Sequence, residues 1–217
     1  MKFTIEQKVL AQAAAMAAGV VEKRNTIPIL ANVKLATDDS GVIFTATDLD
    51  AEISVTKDAE VIAHGAVTVP ADMLKSISAK LDSGKPVTVE EKDGYVTLKS
   101  GRSNFKLNTL PAEDFPELST GAFESEQSVS GDVLGRALDR TVRAASKEET
   151  RYYLNGVAMQ FRDGVIKTIA TDGHRLIVEK IAGAELPDVI IPTKAVNEIK
   201  AICAANGTVE LSVSATK

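Results

Sequence analysis

The residues with the most evident chemical potential lie between Thr171 and Leu176. Asp172 and His174 stand two positions apart there, and a carboxylate beside an imidazole is a pair that general base catalysis uses. A hydrolase would also need a nucleophile, but the sequence contains no Gly-x-Ser-x-Gly motif, no His-Glu-x-x-His motif and no phosphate loop. The segment is better interpreted as a hairpin turn, in which Asp172 accepts backbone hydrogen bonds and Gly173 adopts a positive φ. No catalytic residue is predicted.

A second group of residues has the charge to bind phosphate. Four cations recur at positions i, i+4, i+7 and i+11 of one predicted helix: Arg136, Arg140, Arg143 and Lys147. This spacing places them on one face, opposite the apolar face, where they would attract a polyanion in a salt-dependent and sequence-independent manner. The alternative is an ordinary solvated helix face, since Asp132 and Asp139 lie nearby on the same helix.

Two adjacent tyrosines follow that helix. Neighbouring side chains point to opposite sides of an extended chain, so one of Tyr152 and Tyr153 is expected to pack and the other to be exposed. An exposed tyrosine beside Arg151 suits contact with a sugar–phosphate backbone. The alternative is that both rings are half-buried in the core.

Metal and cofactor chemistry finds little support in the sequence. Cys203 is the one cysteine, and the two histidines, His64 and His174, lie too far apart for a local metal motif. No metal site and no cofactor is predicted.

The elements that must position these residues occur twice in the chain. When the sequence is shifted by 124 positions, and by 122 after a two-residue deletion, the halves align in order. The aligned pairs include Val9 with Val133, Leu30 with Leu154, Asp48 with Asp172, and Pro70 with Pro192. A colinear set of this kind indicates an internal repeat.

Each copy is predicted to contain two helices and several short strands. The helices cover Gln7–Gly19 and Ala71–Lys80 in the first copy, and Asp132–Ser146 and Thr193–Ala204 in the second. Asp- and Gly-containing stretches between the strands predict hairpins. The expected fold class is therefore α+β: tandem domains, residues 1–120 and 121–217, in which two helices pack on antiparallel sheets.

The second copy is expected to be incomplete. The first copy continues through three strands, Val87–Lys92, Tyr95–Ser100 and Asn104–Leu110, whereas the second reaches only one equivalent, Val209–Val213. This last strand is predicted to remain an edge strand with unpaired backbone groups. The segment Pro111–Gln127, with two prolines and few periodic apolar residues, is predicted to be the connector between the domains.

Composition limits the classes of function. The 217 residues carry a net charge of −5, which argues against a simple basic nucleic-acid binder but permits a locally basic face. Aromatic residues make up only 4% and tryptophan is absent, which disfavours a base-stacking platform. No apolar run reaches the ~18 residues of a membrane span. Glu6 lies where a signal peptide would have its apolar stretch, so the cytoplasm is the expected compartment.

Several motifs together resemble one known family. They are Met1-Lys2-Phe3-Thr4, Arg24 followed by Thr26-Ile27-Pro28-Ile29-Leu30, Thr47-Asp48-Leu49, Ser100-Gly101-Arg102-Ser103, Thr109-Leu110-Pro111 leading to Asp114-Phe115-Pro116, Arg151-Tyr152-Tyr153-Leu154-Asn155-Gly156, and Thr171-Asp172-Gly173-His174-Arg175-Leu176. Over essentially its whole length the chain resembles the bacterial DNA polymerase III beta subunit, the sliding clamp. That resemblance implies the DNA-clamp fold, three copies per subunit, and two subunits joined head to tail around duplex DNA. The third domain is absent from this sequence, so the chain is expected to be an N-terminal fragment.

The resemblance also implies roles for particular residues. Those implied to face DNA are Arg24, Tyr152 and Tyr153, to which the helical spacing adds Arg140, Arg143 and Lys147. A cleft for a short, mostly apolar partner peptide would be formed on the second domain by Leu154, Thr171, Gly173, His174, Arg175 and Leu176. His174 and Arg175 are thus expected to form a pocket wall and not a catalytic pair.

The resulting hypothesis is a non-enzymatic processivity factor that tethers the replicative polymerase to DNA by encircling the duplex. The implied partners are double-stranded DNA, the catalytic subunit of DNA polymerase III, clamp-loader subunits and repair polymerases. The implied location is the bacterial cytoplasm, at the nucleoid and its replication forks. A homodimer is expected of the full-length form and not of this fragment, and no membrane contact is expected. The alternatives are an interaction module that binds clamp partners without encircling DNA, and an enzyme that uses Asp172 and His174.

Overall fold

The computed structural model describes residues 1–21, 26–118, 125–148, 150–183 and 186–213; the side chains of Ser125 and Tyr152 are also outside the description. The chain divides into two units, Met1–Leu118 and Ser119–Lys217. The predicted boundary between residues 120 and 121 falls among the residues that are not described. None of the helices in the described ranges is both long and apolar enough to span a membrane.

The first unit contains two antiparallel sheets and two helices among its described residues. One sheet has the order β4-β3-β2-β6 and is built from β2 (Asn32–Asp38), β3 (Gly41–Thr47), β4 (Glu52–Lys57) and β6 (Gly65–Pro70). The other has the order β5-β1-β7-β8-β9 and is built from β1 (Lys2–Glu6), β5 (Glu60–Ala63), β7 (Pro86–Lys92), β8 (Tyr95–Ser100) and β9 (Ser103–Asn108). The helices are α1 (Gln7–Val20) and α2 (Ala71–Ser78).

The second unit repeats this arrangement with a smaller second sheet. Its four-stranded sheet has the order β13-β12-β11-β14, from β11 (Gly156–Arg162), β12 (Val165–Thr171), β13 (Leu176–Ala182) and β14 (Val189–Pro192). Its other sheet pairs β10 (Ser125–Ser130) with β15 (Thr208–Val213). The helices are α3 (Gly131–Thr141) and α4 (Thr193–Ala205). The predicted α+β class is confirmed, and the matching order of the four-stranded sheets agrees with the repeat in the sequence.

The core of the second unit follows from side-chain periodicity. Successive strand residues point to opposite faces, and the alternate residues Val157, Met159 and Phe161 of β11 are buried. On α3 the apolar residues Leu134 and Leu138, one turn apart, are fully buried against this sheet. The opposite face of α3 is left at the surface, which is where the cations of the helix lie.

The predicted first helix of the second unit is too long. The sequence predicts a helix over Asp132–Ser146, whereas α3 ends at Thr141 and a 3₁₀ turn covers Val142–Ala144. The backbone N–H of Ser146 donates to the carbonyl of Leu154 at 2.9 Å instead of continuing the helix. A tertiary hydrogen bond therefore ends the helix at a place where local periodicity would extend it.

Five strands were not predicted: β1, β5, β6, β10 and β14. One of them changes the expectation for the end of the chain. Val209–Val213 is not left without a partner, because β15 pairs in antiparallel register with β10, with Val209 opposite Val129. The prediction that Pro111–Gln127 is all connector is wrong at its end, where β10 begins at Ser125. Short polar strands such as Ser125–Ser130 have too little apolar alternation to be recognised locally.

Candidate functional site

A charged groove runs between the two helices of the second unit. Two glycines of α3, Gly131 and Gly135, face α4 and have no side chain there to hold the helices apart. A Cβ on Gly131 would lie 2.3 Å from the carbonyl oxygen of Asn206, and one on Gly135 would lie 3.1 Å from Cβ of Cys203. The groove beside this contact has a volume of about 640 Å³. We call it the α3–α4 groove; its charged lining residues are Asp132, Arg136, Asp139, Arg140, Arg143 and Lys200.

The cations of the groove are paired with acids. Arg136 donates to Asp132 one turn earlier on α3. Arg143 donates to Asp139 at 2.6 Å in the same i, i+4 relation, as is favourable on a helix surface. These are the two acids that the sequence places near the cations, and among the lining residues four cations still outnumber two acids.

One acid serves two cations. Asp139 accepts from Nζ of Lys200 on α4 at 2.6 Å as well as from Arg143. The hydrogen bond from Lys200, followed by the one from Arg143, holds the pKa of Asp139 below its ordinary value. Asp139 therefore remains a carboxylate at neutral pH and links the two helices through their surface charges.

The other two predicted cations have different surroundings. Arg140 lies on α3, 3.5 Å from a carboxylate oxygen of Glu179 on β13, and more than half of its side chain is exposed. Lys147 follows the 3₁₀ turn and is exposed. It therefore lies beyond the end of the helix, and the prediction that all four cations share one helix face is wrong for Lys147.

The tyrosines lie in a 3₁₀ turn over Tyr152–Leu154. Tyr153 is 57% exposed, so it is available to a partner at the surface. The side chain of Tyr152 and the whole of Arg24, both predicted to face DNA, are outside the described residues.

The segment between β12 and β13 is a hydrogen-bonded turn, as predicted. Oδ1 of Asp172 accepts the backbone N–H groups of His174 and Arg175, both at 3.0 Å, and Oδ2 accepts from Arg175 Nε at 2.9 Å. The hydrogen bond from the His174 N–H is the largest reason that the pKa of Asp172 lies below its ordinary value. Gly173 has a φ of 91°. The carboxylate thus shapes the turn, and this arrangement favours the hairpin interpretation over the catalytic one.

The first unit contains the same turn between β3 and β4. Oδ1 of Asp48 accepts from the backbone N–H groups of Asp50 and Ala51, at 3.1 and 2.8 Å. Leu49 occupies the position of Gly173 and has a φ of 79°, although it carries a Cβ. The two turns therefore have one geometry, and only the second has the residue that this geometry favours.

The turn of the second unit lies beside the segment that contains Leu154. Strand β11 begins at Gly156 and runs antiparallel to β12, which ends at Thr171, so both segments lie at the same end of the sheet. Nη1 of Arg151 lies 3.7 Å from the place of a Cβ on Gly173. Five of the six predicted pocket residues come from the turn and the strand ends beside it, and Leu154 is the sixth. Leu176 is 62% exposed, an apolar side chain at the surface.

Lys200 and Glu179 were not predicted from the sequence to be part of the charged surface. The pairs Asp132–Arg136 and Asp139–Arg143 could have been predicted from the sequence, because opposite charges four residues apart on a helix are neighbours. Lys200 and Glu179 have no such signal, because each reaches α3 from another element. Among the described residues there is no group of three or more His, Cys, Asp or Glu side chains that could hold a metal ion.

Comparison with known proteins gives matches across the whole chain. The family model "DNA polymerase III beta subunit, N-terminal domain" matches residues 1–119, and the model for the central domain of the same subunit matches residues 128–217. The beta sliding clamp of Caulobacter vibrioides is 39% identical over 228 aligned residues, which cover 100% of this chain and 61% of the relative. That of Escherichia coli K12 is 37% identical over 204 residues, covering 92% of this chain and 56% of the relative.

Solved structures give the same result for the fold. The structure described as Caulobacter crescentus pol III beta superposes with a TM-score of 0.92 at 38% sequence identity, and the match covers 99% of this chain and 60% of that one. The chain thus spans about three fifths of the length of the relatives that it matches.

Proposed function

Because the chain belongs to the DNA polymerase III beta subunit family, we propose that it functions in DNA replication as part of a sliding clamp, a non-catalytic factor that encircles duplex DNA and tethers a polymerase to it. The observation that carries this proposal for the chain's own residues is the α3–α4 groove. It concentrates cations on one surface of a protein whose net charge is −5. A locally basic face on an acidic protein is suited to a polyanion and disfavours indiscriminate binding elsewhere.

The proposed role of the groove is loose contact with the phosphate backbone. Contacts between cations and phosphates carry no sequence information and weaken as salt rises. Such contacts let a protein move along DNA, while encirclement keeps it from leaving. Linkage of this kind raises the concentration of the polymerase at the primer end without a tight DNA-binding site. Arg140 and Arg143 of the groove, together with Lys147, Arg24, Tyr152 and Tyr153, are the residues that we assign to DNA contact.

The proposed partners other than DNA bind at the turn of the second unit. The surface formed by Leu154, Thr171, Gly173, His174, Arg175 and Leu176 combines an exposed apolar side chain with a rigid, hydrogen-bonded turn. It suits a short, mostly apolar peptide from the polymerase III catalytic subunit, a clamp-loader subunit or a repair polymerase. The proposed setting is the cytoplasm at the nucleoid, with the homodimeric ring as the form that acts.

Charge reversal in the groove tests the DNA contact. The double variant Arg140→Glu/Arg143→Glu should bind a duplex oligonucleotide more weakly, and the slope of log K against log salt should flatten by up to ~1.8, about 0.9 for each lost phosphate contact. Fluorescence anisotropy across a potassium chloride series measures both quantities. The matched control is Arg102→Glu/Arg162→Glu, which reverses two exposed arginines that do not line the groove. Equal slopes for the two double variants would show that the groove does not contact DNA.

A second candidate function is supported by the exposure of Leu176. The turn and its neighbouring segment lie within the second unit, so the chain has the means to bind a partner peptide without encircling DNA. Leu176→Asp should abolish binding of a fluorescent, mostly apolar peptide in a titration. Ile190→Asp is the control, because Ile190 is 54% exposed and lies on the opposite edge strand of the same sheet. If both variants bind the peptide as the wild type does, the pocket assignment is wrong.

A further inference from the structure

The ion network around Asp139 is the feature of the groove that the proposed function leaves unexplained. Asp139 is on α3, Arg143 is on the 3₁₀ turn that follows, and Lys200 is on α4. Both cations donate to the one carboxylate at 2.6 Å. A surface built only to bind phosphate would gain from leaving these cations without an acid between them.

We propose that Asp139 is a built-in counter-ion that competes with DNA phosphates for Arg143 and Lys200, so that the groove attracts DNA but holds it loosely. This inference rests on the proposed role of the α3–α4 groove in DNA binding. It adds Lys200 to the residues proposed to contact phosphate, and it assigns to Asp139 the role of limiting how tightly the groove binds DNA.

The geometry permits the exchange that the proposal requires. About 69% of the Arg143 side chain, 42% of Asp139 and 26% of Lys200 is exposed, so a phosphate can approach the network from solvent. A guanidinium has five N–H donors and an ammonium has three, and each gives only part of this set to Asp139. Exposed ion pairs contribute little to stability, so a phosphate can share or displace them at little cost.

The network is also held in place by the packing of the two helices. Asp139 lies one turn after Gly135, whose missing side chain lets α3 approach Cys203. Lys200 lies about one turn before Cys203 on α4, and this register brings it opposite Asp139. The pair Asp132–Arg136 differs, because that acid has one cation and both residues are on the same helix.

The first unit supports the interpretation that this network is a specific addition. Under the alignment of the repeat, Asp139, Arg143 and Lys200 correspond to Ala15, Gly19 and Ser78. None of these residues carries a charge. The fold of a unit therefore does not require the network.

Removing the counter-ion is the decisive experiment. Asp139→Asn keeps the size of the side chain and should strengthen binding of the 217-residue chain to a duplex oligonucleotide about tenfold at 0.1 M salt, with a salt slope steeper by ~1. The matched control is Asp163→Asn, which removes one exposed acid from the β11–β12 turn, where an asparagine accepts the positive φ of 55°. Its binding should remain within about twofold of the wild type.

A second variant identifies the cation that is released. Lys200→Gln in the Asp139→Asn background should reverse about 0.9 of the gain in slope, as the loss of one phosphate contact does. Unchanged or weaker DNA binding by Asp139→Asn, relative to Asp163→Asn, would overturn the inference. If Arg140→Glu/Arg143→Glu still flattens the slope in the same assay, the DNA-binding role of the groove stands without it. If the wild-type chain shows no association even at low salt, both proposals fail.

Discussion

The first helices of the two units, α1 and α3, have the same place in the repeat but different surfaces. Their buried faces correspond, with Leu10 aligned to Leu134 and Ala13 to Ala137, and all four are buried. Elsewhere on the helix, Asp139 and Arg140 replace the exposed Ala15 and the half-buried Met16. The difference indicates that packing against the sheet constrains one face of the helix, while the other is available to acquire charge and a binding role.

The cores of the two units differ at one pair of aligned positions, where the first helix of each unit packs on the sheet. In the first unit Phe44 on β3 is fully buried, and the aligned residue of the second unit is Thr168 on β12. Thr168 shares a 2.8 Å hydrogen bond with Thr141 of α3, which also donates to the carbonyl of Ala137. The first unit thus fills the position with apolar volume, and the second fills it with a smaller, hydrogen-bonded pair.

Truncation at this position should produce the largest effect. Phe44→Ala should lower the free energy of unfolding by ~3–5 kcal/mol, because it leaves a cavity in the core of the first unit. Thr168→Ala removes less volume and one hydrogen bond, and should cost about 1–2 kcal/mol. Urea unfolding followed by circular dichroism measures both values. Equal costs would mean that the two cores do not differ in the way that their residues indicate.

The contact between α3 and α4 should be the next most sensitive. Gly131→Ala places a Cβ 2.3 Å from the carbonyl oxygen of Asn206, and the forced shift should cost ~1–3 kcal/mol in the same assay. Gly207→Ala is the control, since its Cβ would meet nothing within 4 Å. In the first unit the aligned residue is Gln7, whose amide donates to the carbonyl of Ser78 at 2.6 Å. Gly131→Ala at wild-type stability would show that α3 and α4 can move apart enough to accommodate a side chain at this contact.

The turn of the second unit should contribute the smallest effect, and one that depends on pH. The pKa of Asp172 is lowered in the folded protein, so its contribution to stability is present above the pKa of the unfolded chain and is lost as pH falls through the folded value. The stability difference between the wild type and Asp172→Ala should therefore be constant from pH 7 to about 5 and shrink below about pH 4. Unfolding in urea at each pH measures it. A difference that instead grows in acid would contradict the assignment of the carboxylate as a hydrogen-bond acceptor.

Features were predicted correctly from the sequence where the interactions that form them lie within one short segment. The turn at Asp172 and Gly173 was predicted correctly because the side chain bonds to the backbone two and three residues ahead. The buried face of α3 was predicted for a similar reason, since helical spacing is a local property. The polar strand β10 was not predicted, because β15, the strand with which it pairs, is far along the chain.

In the candidate site, too, some features follow from the sequence alone and others only from the tertiary structure. The sequence by itself determined the repeat, the fold class and the cations of α3, since each depends on residue type and spacing. Only the tertiary structure decided that Lys200 and Glu179 join those cations, that Asp139 is shared between two helices, and that Lys147 leaves the helix. These features depend on how closely α3 packs against α4 and β13, and a distance between elements that are remote in the chain is set by the packed core and not by local periodicity.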